Sequence, residues 1–489
     1  MKKLLASMVA TVVAGTTFAN DLPQQSSPWF QDAQNVLMQK METPRLRGQA
    51  KNVILFVADG NGVSSNTAIR IFEGQAQGLL GEEHELSFEK FPHLALAKTY
   101  NSNAQTPDSA GTATAMLAGV KTRQGVVGIT DNVDRGDCVT ALDNQIPSAL
   151  HLAERKGKAT GVVSTARVTH ATPAAAYAFA ADRNFEDDSA LSDEQKAAGC
   201  VDIASQALTA DMEVILGGGR RHFIPAELTD EEGKTGRRTD GRDLTKEWQA
   251  QGGEYVWNRD GLMKLDPNAD RVLGLFESSH MEYEADREGD AGGEPSLAEM
   301  TAAAINVLNK DEDGFFLLVE SGRVDHAHHA GNAYRAMMDG VAFAEAVQIA
   351  TQMTNLEDTL IIVTADHSHT LVMQGYAQRG NPILGLSKGL DSQGNPVTEP
   401  SLAKDGKPYT TIAYVNGPGA VQGERQDLSN VDVEDMDFVQ QALIPMSSET
   451  HTAEDVAIYA RGPWAWLIDG TVEQNYIFHV MDHAAGLSQ

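Results

Sequence analysis

Cysteine is scarce in this chain: two residues, Cys138 and Cys200, among 489. That excludes a small fold stapled by a disulfide framework, and the pair is not a C-x-x-C redox motif. Basic residues are also few, 38 Lys and Arg against 68 Asp and Glu, for a formal net charge of −30. A nucleic-acid binder needs basic surface to displace counterions from phosphates, so no nucleic-acid-binding surface is expected. Long apolar runs are missing too; Leu4–Ala14 is too short and broken to span a bilayer. No internal repeat and no low-complexity tract is found. A hydrophobic content of 42% is too high for a disordered acidic chain. What is left is an acidic, globular, enzyme-sized protein whose excess carboxylates read as solvated surface.

Residues 1–19 read as a secretory signal, with Lys2 and Lys3 before the apolar run and Thr17-Phe18-Ala19 as a small-x-small cleavage site. The expectation is an exported protein, periplasmic or secreted, without a membrane anchor. In an oxidising compartment Cys138 and Cys200 read as a structural disulfide rather than a redox site. Residues 20–50 form an N-terminal arm, with an amphipathic helix predicted over Trp29–Met41. From 51 to 489, apolar β-branched runs alternate with helical patterns. This predicts an α/β fold, a large and mostly parallel central sheet flanked by helices on both faces. Strands are predicted at Val53–Ala58, Ala159–Ser164, Glu213–Leu216, Phe315–Val319 and Thr359–Thr364, and helices at Ser109–Ala118, Pro147–Lys156, Ser296–Asn309 and Asn332–Gln352. An irregular acidic stretch near 225–295 reads as an insertion, and 375–430, rich in Gly, Pro, Asn and Asp, reads as a loop-rich, crown-like insertion of loops and short strands.

Three of those strands end in a carboxylate: Asp59, Glu320 and Asp366. Ligands of open α/β sheets bind at the carboxyl ends of the strands. Three like charges converging there would repel and resist desolvation unless cations neutralise them. The alternative is three ordinary exposed loop acids. Asp325-His326-Ala327-His328-His329 follows one strand end, and Asp366-His367-Ser368-His369 follows another. On a helix, Asp325 and His329 share a face at i, i+4 and can chelate one ion. Oxygen and imidazole donors without thiolates suit zinc, with magnesium preferred where donors are oxygen alone. Ser109, in Thr106-Pro107-Asp108-Ser109-Ala110-Gly111, stands at a predicted helix start where an anion is favoured. It reads either as a plain N-cap or as a nucleophile activated by metal.

Three motifs are set aside. Gly60-Asn61-Gly62 lacks the third glycine of a dinucleotide fingerprint, Gly217-Gly218-Gly219-Arg220-Arg221 lacks a P-loop ending, and Arg271 replaces the glycine that a calcium loop over Asp266–Glu277 requires.

The segments Val57-Ala58-Asp59-Gly60, Pro107-Asp108-Ser109-Ala110, Val319-Glu320-Ser321-Gly322-Arg323-Val324-Asp325-His326-Ala327-His328-His329, Thr364-Ala365-Asp366-His367-Ser368-His369 and Glu449-Thr450-His451 closely resemble alkaline phosphatases, in order, over roughly residues 50–485. The resemblance implies a phosphomonoesterase with two zinc ions and one magnesium ion, acting on small phosphate monoesters through a phosphoserine. Ser109 matches the nucleophile and Arg183 the arginine that clamps phosphate oxygens. Asp325, His329 and His451 match the ligands of the first zinc, which binds the leaving group. Asp59, Asp366 and His367 match those of the second, which stabilises the Ser109 alkoxide. Asp59, Glu320 and Thr172 match the magnesium site. Asp108, His170 and His326 are expected beside the substrate or behind the ligands. His170 and His326 fill positions where another branch of the family carries Asp and Lys. Cys138 and Cys200 match a family disulfide, and a homodimer with the N-terminal helix as an arm is expected. Ser278–Glu294 departs from the family pattern, so no fourth, calcium-like site near Glu277 is carried over. The alternatives are a phosphodiesterase or sulfatase on the same scaffold, or a non-catalytic zinc-binding secreted protein.

Overall fold

The structure is a computed structural model that describes residues 23–489; the predicted signal, 1–19, lies outside the described residues. The chain divides into two compact units, one ending at Pro44 and one spanning Arg45–Gln489. The first holds the helix Pro28–Glu42, started by a proline that needs no hydrogen-bond partner for its nitrogen. Its apolar residues Trp29, Leu37 and Met41 are exposed.

The second unit is built on a ten-stranded sheet. In chain order the strands are β1 (Asn52–Ala58), β2 (His93–Lys98), β3 (Ala159–Arg167), β4 (Val214–Gly218), β5 (Glu254–Val256), β6 (Val272–Leu275), β7 (Phe315–Ser321) and β8 (Thr359–Thr364). Short pieces follow: β9 (Ser368–His369), β10 (Leu371–Met373), β11 (Ile412–Gly417), β12 (Ala442–Pro445) and β13 (His451–Thr452). β14 (Val456–Arg461) and β15 (Gly470–Glu473) return to the sheet. The order is β15-β2-β14-β8-β1-β7-β3-β4-β6-β5. Only β14 runs antiparallel to its neighbours.

Sequence explains the centre of this sheet. Every residue of β1, β7 and β8 is buried, because helices cover both faces of a parallel sheet. Leu55, Val57, Leu318 and Ile362 face one hydrophobic layer, with the helices Ser109–Ala118, Ala149–Arg155, Ala171–Tyr177 and Tyr476–Ala485. Ile54, Phe56, Val319 and Val363 face the other, with Leu297–Leu308 and Ala333–Met353. All five predicted strands and all four predicted helices of this unit form, with ends shifted by at most three residues.

The outer strands differ from expectation. The segment 225–295, read as irregular, supplies β5 and β6 at one sheet edge. Three and four residues are too few for a periodic signal. The segment 375–430, in contrast, holds loops and a short strand as expected: β11, at the centre of a separate three-stranded sheet with β10 and β12.

Two arrangements position the site. The strands that end in carboxylates are neighbours, β8-β1-β7, with Val57 level with both Glu320 and Thr364. Antiparallel β14 enters the sheet at that same edge, beside Thr364, so the chain just before it passes over the strand ends. There β13 pairs with β9, setting His451 opposite His369.

Cys138 and Cys200 form a disulfide across a separation of 62 residues, among the buried residues Val126, Ile129 and Leu191. A loop of that length restricts the unfolded chain appreciably. Replacing both cysteines by serine is expected to lower the unfolding free energy by about 2–4 kcal/mol, read as a lower denaturant midpoint. An unchanged midpoint would show that the bridge carries no stability.

Candidate active site

Ser109 is the first residue of the helix Ser109–Ala118, and Asp108, not Ser109, is its N-cap. All ten residues of that helix are buried, which alanines, threonines and one glycine make possible. Asp108 is over-determined: Oδ1 accepts from Gly111 N at 3.2 Å and Asn101 Nδ2 at 2.9 Å, and Oδ2 from Gly125 N at 2.9 Å. With the cap supplied by its neighbour, the Ser109 hydroxyl is released for other contacts. Its Oγ lies 3.2 Å from His367 Nε2 and 3.4 Å from Asp59 Oδ1.

Asp325, His329 and His451 form one donor set. Asp325 and His329 share a face of the helix Arg323–His329, as their spacing predicted. His329 Nδ1–H donates to the Glu449 carbonyl at 2.6 Å, and His451 Nδ1–H donates to the Pro107 carbonyl at 2.9 Å. A neutral imidazole with its hydrogen on Nδ1 carries a bare lone pair on Nε2. The two Nε2 atoms face each other at 3.1 Å, with Asp325 Oδ1 at 3.4 and 3.2 Å from them. Two lone pairs aimed at one point, with a carboxylate, are what a tetrahedral cation requires; donors about 2.0–2.1 Å from zinc stand roughly 3.3 Å apart.

His369 was not selected from the sequence. Its Nε2 donates to Asp325 Oδ1 at 2.7 Å and its Nδ1 to Glu449 Oε2 at 2.5 Å. Burial alone would lower its pKa, but these two carboxylates push it up to about 9. With a carboxylate oxygen against each nitrogen, it donates at both and aims Asp325 instead of offering a lone pair. Glu449 is fixed in turn by Thr370, through N at 2.5 Å and Oγ1 at 2.6 Å. The clue was the second histidine of Asp366-His367-Ser368-His369; its partner Glu449 is too distant in sequence to be read.

A second donor set is Asp59, Asp366 and His367. His367 Nε2 stands 3.4 Å from Asp59 Oδ1 and 3.3 Å from Asp366 Oδ2. Asp366 Oδ1 accepts from Gly60 N at 3.0 Å and His367 N at 2.8 Å. Gly60 is required: a Cβ there would meet the His369 ring at 2.5 Å, and its φ is +75°.

The third group is oxygen-rich. Asp59 Oδ2, Glu320 Oε1 and Thr172 Oγ1 are buried with no hydrogen-bond partner among the described residues. Glu320 accepts from the Ser164 hydroxyl through its other oxygen. Burial pushes Glu320 up to about 7, and burial with the charges of Asp366, Asp325 and Glu320 drives Asp59 well above the carboxylate range. Buried orphan oxygens whose mutual repulsion favours protonation are the signature of a place for a hard cation.

Arg183 faces the helix start: Nη1 pairs with Asp108 Oδ2 at 3.1 Å and Nη2 donates to His170 Nε2 at 2.9 Å. His170 also lies within reach of Asp59 and Glu320. His326 sits one turn from His329, its Nδ1 accepting from Arg323 Nη1 at 3.2 Å. All predicted site residues except the disulfide pair therefore belong to these three groups or border them. Glu232, Glu277 and Asp290 form a separate acidic cluster, where Glu232 is ion-paired to Arg220.

The alkaline phosphatase family model matches residues 50–487. The tissue-nonspecific alkaline phosphatase isozyme of Gallus gallus is 45% identical, over 98% of this chain and 94% of that protein. The Homo sapiens isozyme is 44% identical, over 98% and 93%. Among solved structures, alkaline phosphatase from Thermus thermophilus superposes with a TM-score of 0.66 at 27% identity, covering 92% of this chain and 94% of that one. That of the Antarctic bacterium TAB5 superposes at 0.62 and 22%, covering 90% and 100%, a likeness of fold. Family match, curated relatives and fold agree with a buried serine set among carboxylates and imidazoles, and the chain belongs to the alkaline phosphatase family of phosphomonoesterases.

Proposed function

We propose that this chain hydrolyses phosphate monoesters through a phosphoserine at Ser109, with two zinc ions and one magnesium ion held beside it. The observation that carries this reading is the Ser109 Oγ, 3.2 Å from His367 Nε2 and 3.4 Å from Asp59 Oδ1 at the start of a buried helix. The donor chemistry fits the ions. Asp325, His329 and His451 would hold one zinc, Asp59, Asp366 and His367 the other, and Asp59, Glu320 and Thr172 the magnesium. Bound there, the ions supply Lewis-acid stabilisation of the attacking and leaving oxygens.

The chain's own residues do the rest. Arg183 offers a planar fork to phosphate oxygens while Asp108 and His170 hold its two terminal nitrogens. Ser109 Oγ attacks phosphorus in line, forming the Oγ–P bond as the ester P–O bond breaks and the alcohol leaves. Water then attacks the same phosphorus, the P–Oγ bond breaks, and inorganic phosphate departs. The N-terminus of the Ser109–Ala118 helix favours negative charge at Oγ throughout. His367 is fully buried, and burial first, then His451, keeps it neutral and able to donate a lone pair.

Export rests on Lys2, Lys3 and the apolar run that follows, and the expectation of a homodimer remains part of this proposal. No helix among the described residues is long and apolar enough to cross a membrane.

Four outcomes test the reading. Ser109→Ala is expected to lose ~10³-fold or more of kcat on a chromogenic phosphate monoester. Chelation should abolish wild-type turnover, and zinc with magnesium should restore it. Inactivity of fully metallated wild type on monoesters would overturn the proposal in favour of diesters or sulfate esters. His369→Ala should weaken the zinc held by Asp325 by roughly 10–100-fold in chelator competition, because Asp325 loses the group that aims it. Unchanged affinity would remove His369 from that role. His170→Asp adds an oxygen donor next to Asp59 and Glu320 and should lower the magnesium concentration for half-maximal activity. Histidine-to-aspartate and histidine-to-glutamate variants of the TAB5 enzyme carry magnesium in a site called M3. An unaltered magnesium titration would reject the prediction.

A further inference from the structure

Two pairs of consecutive arginines, Arg220-Arg221 and Arg237-Arg238, follow β4, and the fold treats the members of each pair differently. Arg220 is fully buried with its Nε 2.8 Å from Asp230 Oδ2. Arg238 is fully buried too, its Nη1 2.9 Å from Asp202 Oδ1. Arg221 is half-buried and Arg237 exposed. Among the described residues neither of these outer arginines makes an ion pair.

The outer two are held side by side. The Arg237 backbone N–H donates to the Arg221 carbonyl at 2.8 Å, and Arg221 Nε donates to His222 Nε2 at 3.2 Å. With Nε2 accepting, the hydrogen of the His222 ring is on Nδ1, which donates to Asp187 Oδ2 at 2.5 Å. Both terminal nitrogens of Arg221 are left without a hydrogen-bond partner among the described residues. Burial first, then the charges of Arg167 and Arg237, pull Arg221 below the ordinary arginine range. The acids nearby are already engaged. Glu186 accepts from Arg167 Nε and Nη2, each at 2.7 Å, and Asp187 accepts from His222 and from Ser189 N at 3.0 Å. In a chain of net charge −30, two adjacent guanidiniums without a carboxylate of their own are a place for an anion from outside the chain.

Their position relates them to the substrate. β4 runs parallel to β3, β7 and β1 and ends at the same edge of the sheet, three strands from β1. Neighbouring strands stand about 4.8 Å apart, so the end of β4 is roughly 14 Å from that of β1. A row of half-buried basic groups spans the interval. Arg183 donates to His170, the His170 and His280 rings lie 5.2 Å apart, and Arg167 contacts His280. Arg167 in turn faces Arg221. The arginine beside Ser109 and the outer pair are thus joined by one continuous row of nitrogen-bearing side chains.

We propose that Arg221 and Arg237 bind a second phosphate, carried by the leaving group at the end remote from the phosphate that is transferred. The inference rests on the reading under Proposed function and names the substrate class that this chain favours: alcohols phosphorylated at two well-separated positions. A guanidinium fork meets phosphate oxygens two at a time, and two forks match a dianion better than the single charge of a carboxylate. The sign of the effect is diagnostic, because a net charge of −30 by itself opposes any further negative charge on the substrate.

The test compares triethylene glycol bisphosphate with triethylene glycol monophosphate on enzyme loaded with zinc and magnesium. After correction for its two reactive ends, the bisphosphate is expected to show a kcat/KM roughly fivefold higher. Ethylene glycol bisphosphate, too short to reach the outer arginines, should show no gain, and an equal gain there overturns the assignment to Arg221 and Arg237. In Arg221→Gln and in Arg237→Gln the ratio for the long pair should fall toward one. The ratio is read within each variant, so a loss of folded protein cancels. A monophosphate ending in a carboxylate should gain less than the bisphosphate; an equal gain overturns the assignment to phosphate. Turnover of the monophosphate without preference for the bisphosphate, or a preference that both variants keep, overturns the subsite and leaves the phosphatase reading standing. If the loaded enzyme hydrolyses neither compound, that reading fails and the subsite falls with it.

Discussion

The fold brings four carboxylates, Asp59, Glu320, Asp325 and Asp366, to one buried spot. Desolvation raises the cost of each charge, and proximity raises it further for Asp59 and Glu320. Everything around them answers that cost. Imidazoles with lone pairs turned inward, orphan oxygens and a helix start at Ser109 make sense together once positive charge is admitted. The sheet supplies the acids by placing β1 between β7 and β8. A single reversed strand, β14, then lets residues late in the chain reach the same edge.

Much of this was legible. β1, β7 and β8 are buried on both faces, so they read as unbroken apolar runs, and the acid that ends each run is conspicuous. The i, i+4 pair Asp325 and His329 could be placed on one helix face before the helix was seen. The run Ser109–Ala118 read as a helix, and it forms with those bounds. The fold class followed from the alternation of these elements, and the resemblance to a known family extended it to His451, Thr172 and Arg183.

Other parts were not legible, for physical reasons. β2 and β15 lie at a sheet edge, and β2 alternates exposed and buried residues with exposed leucines at 94 and 96. Such strands carry weak patterns. The cap at Asp108 and the nucleophile candidate at Ser109 are adjacent, and a sequence cannot say which residue faces the backbone. The role of His369 was not readable because it takes its meaning from contacts more than forty positions away, Asp325 and Glu449. A histidine alone gives no such address.

The two-residue pairing of β9 with β13 has a broader consequence. It pins His369 against His451, and between them the chain makes an excursion of about eighty residues that includes the whole 375–430 segment. The excursion is tied at its neck, so its ends are fixed whatever its interior does. Closing a longer loop costs little, about 0.6 kcal/mol for each doubling of length. The segment beyond the neck is accordingly free to lengthen, shorten or change its surface over evolutionary time without moving the ligands at its base. Relatives of this chain can acquire new surfaces above an unaltered reaction centre.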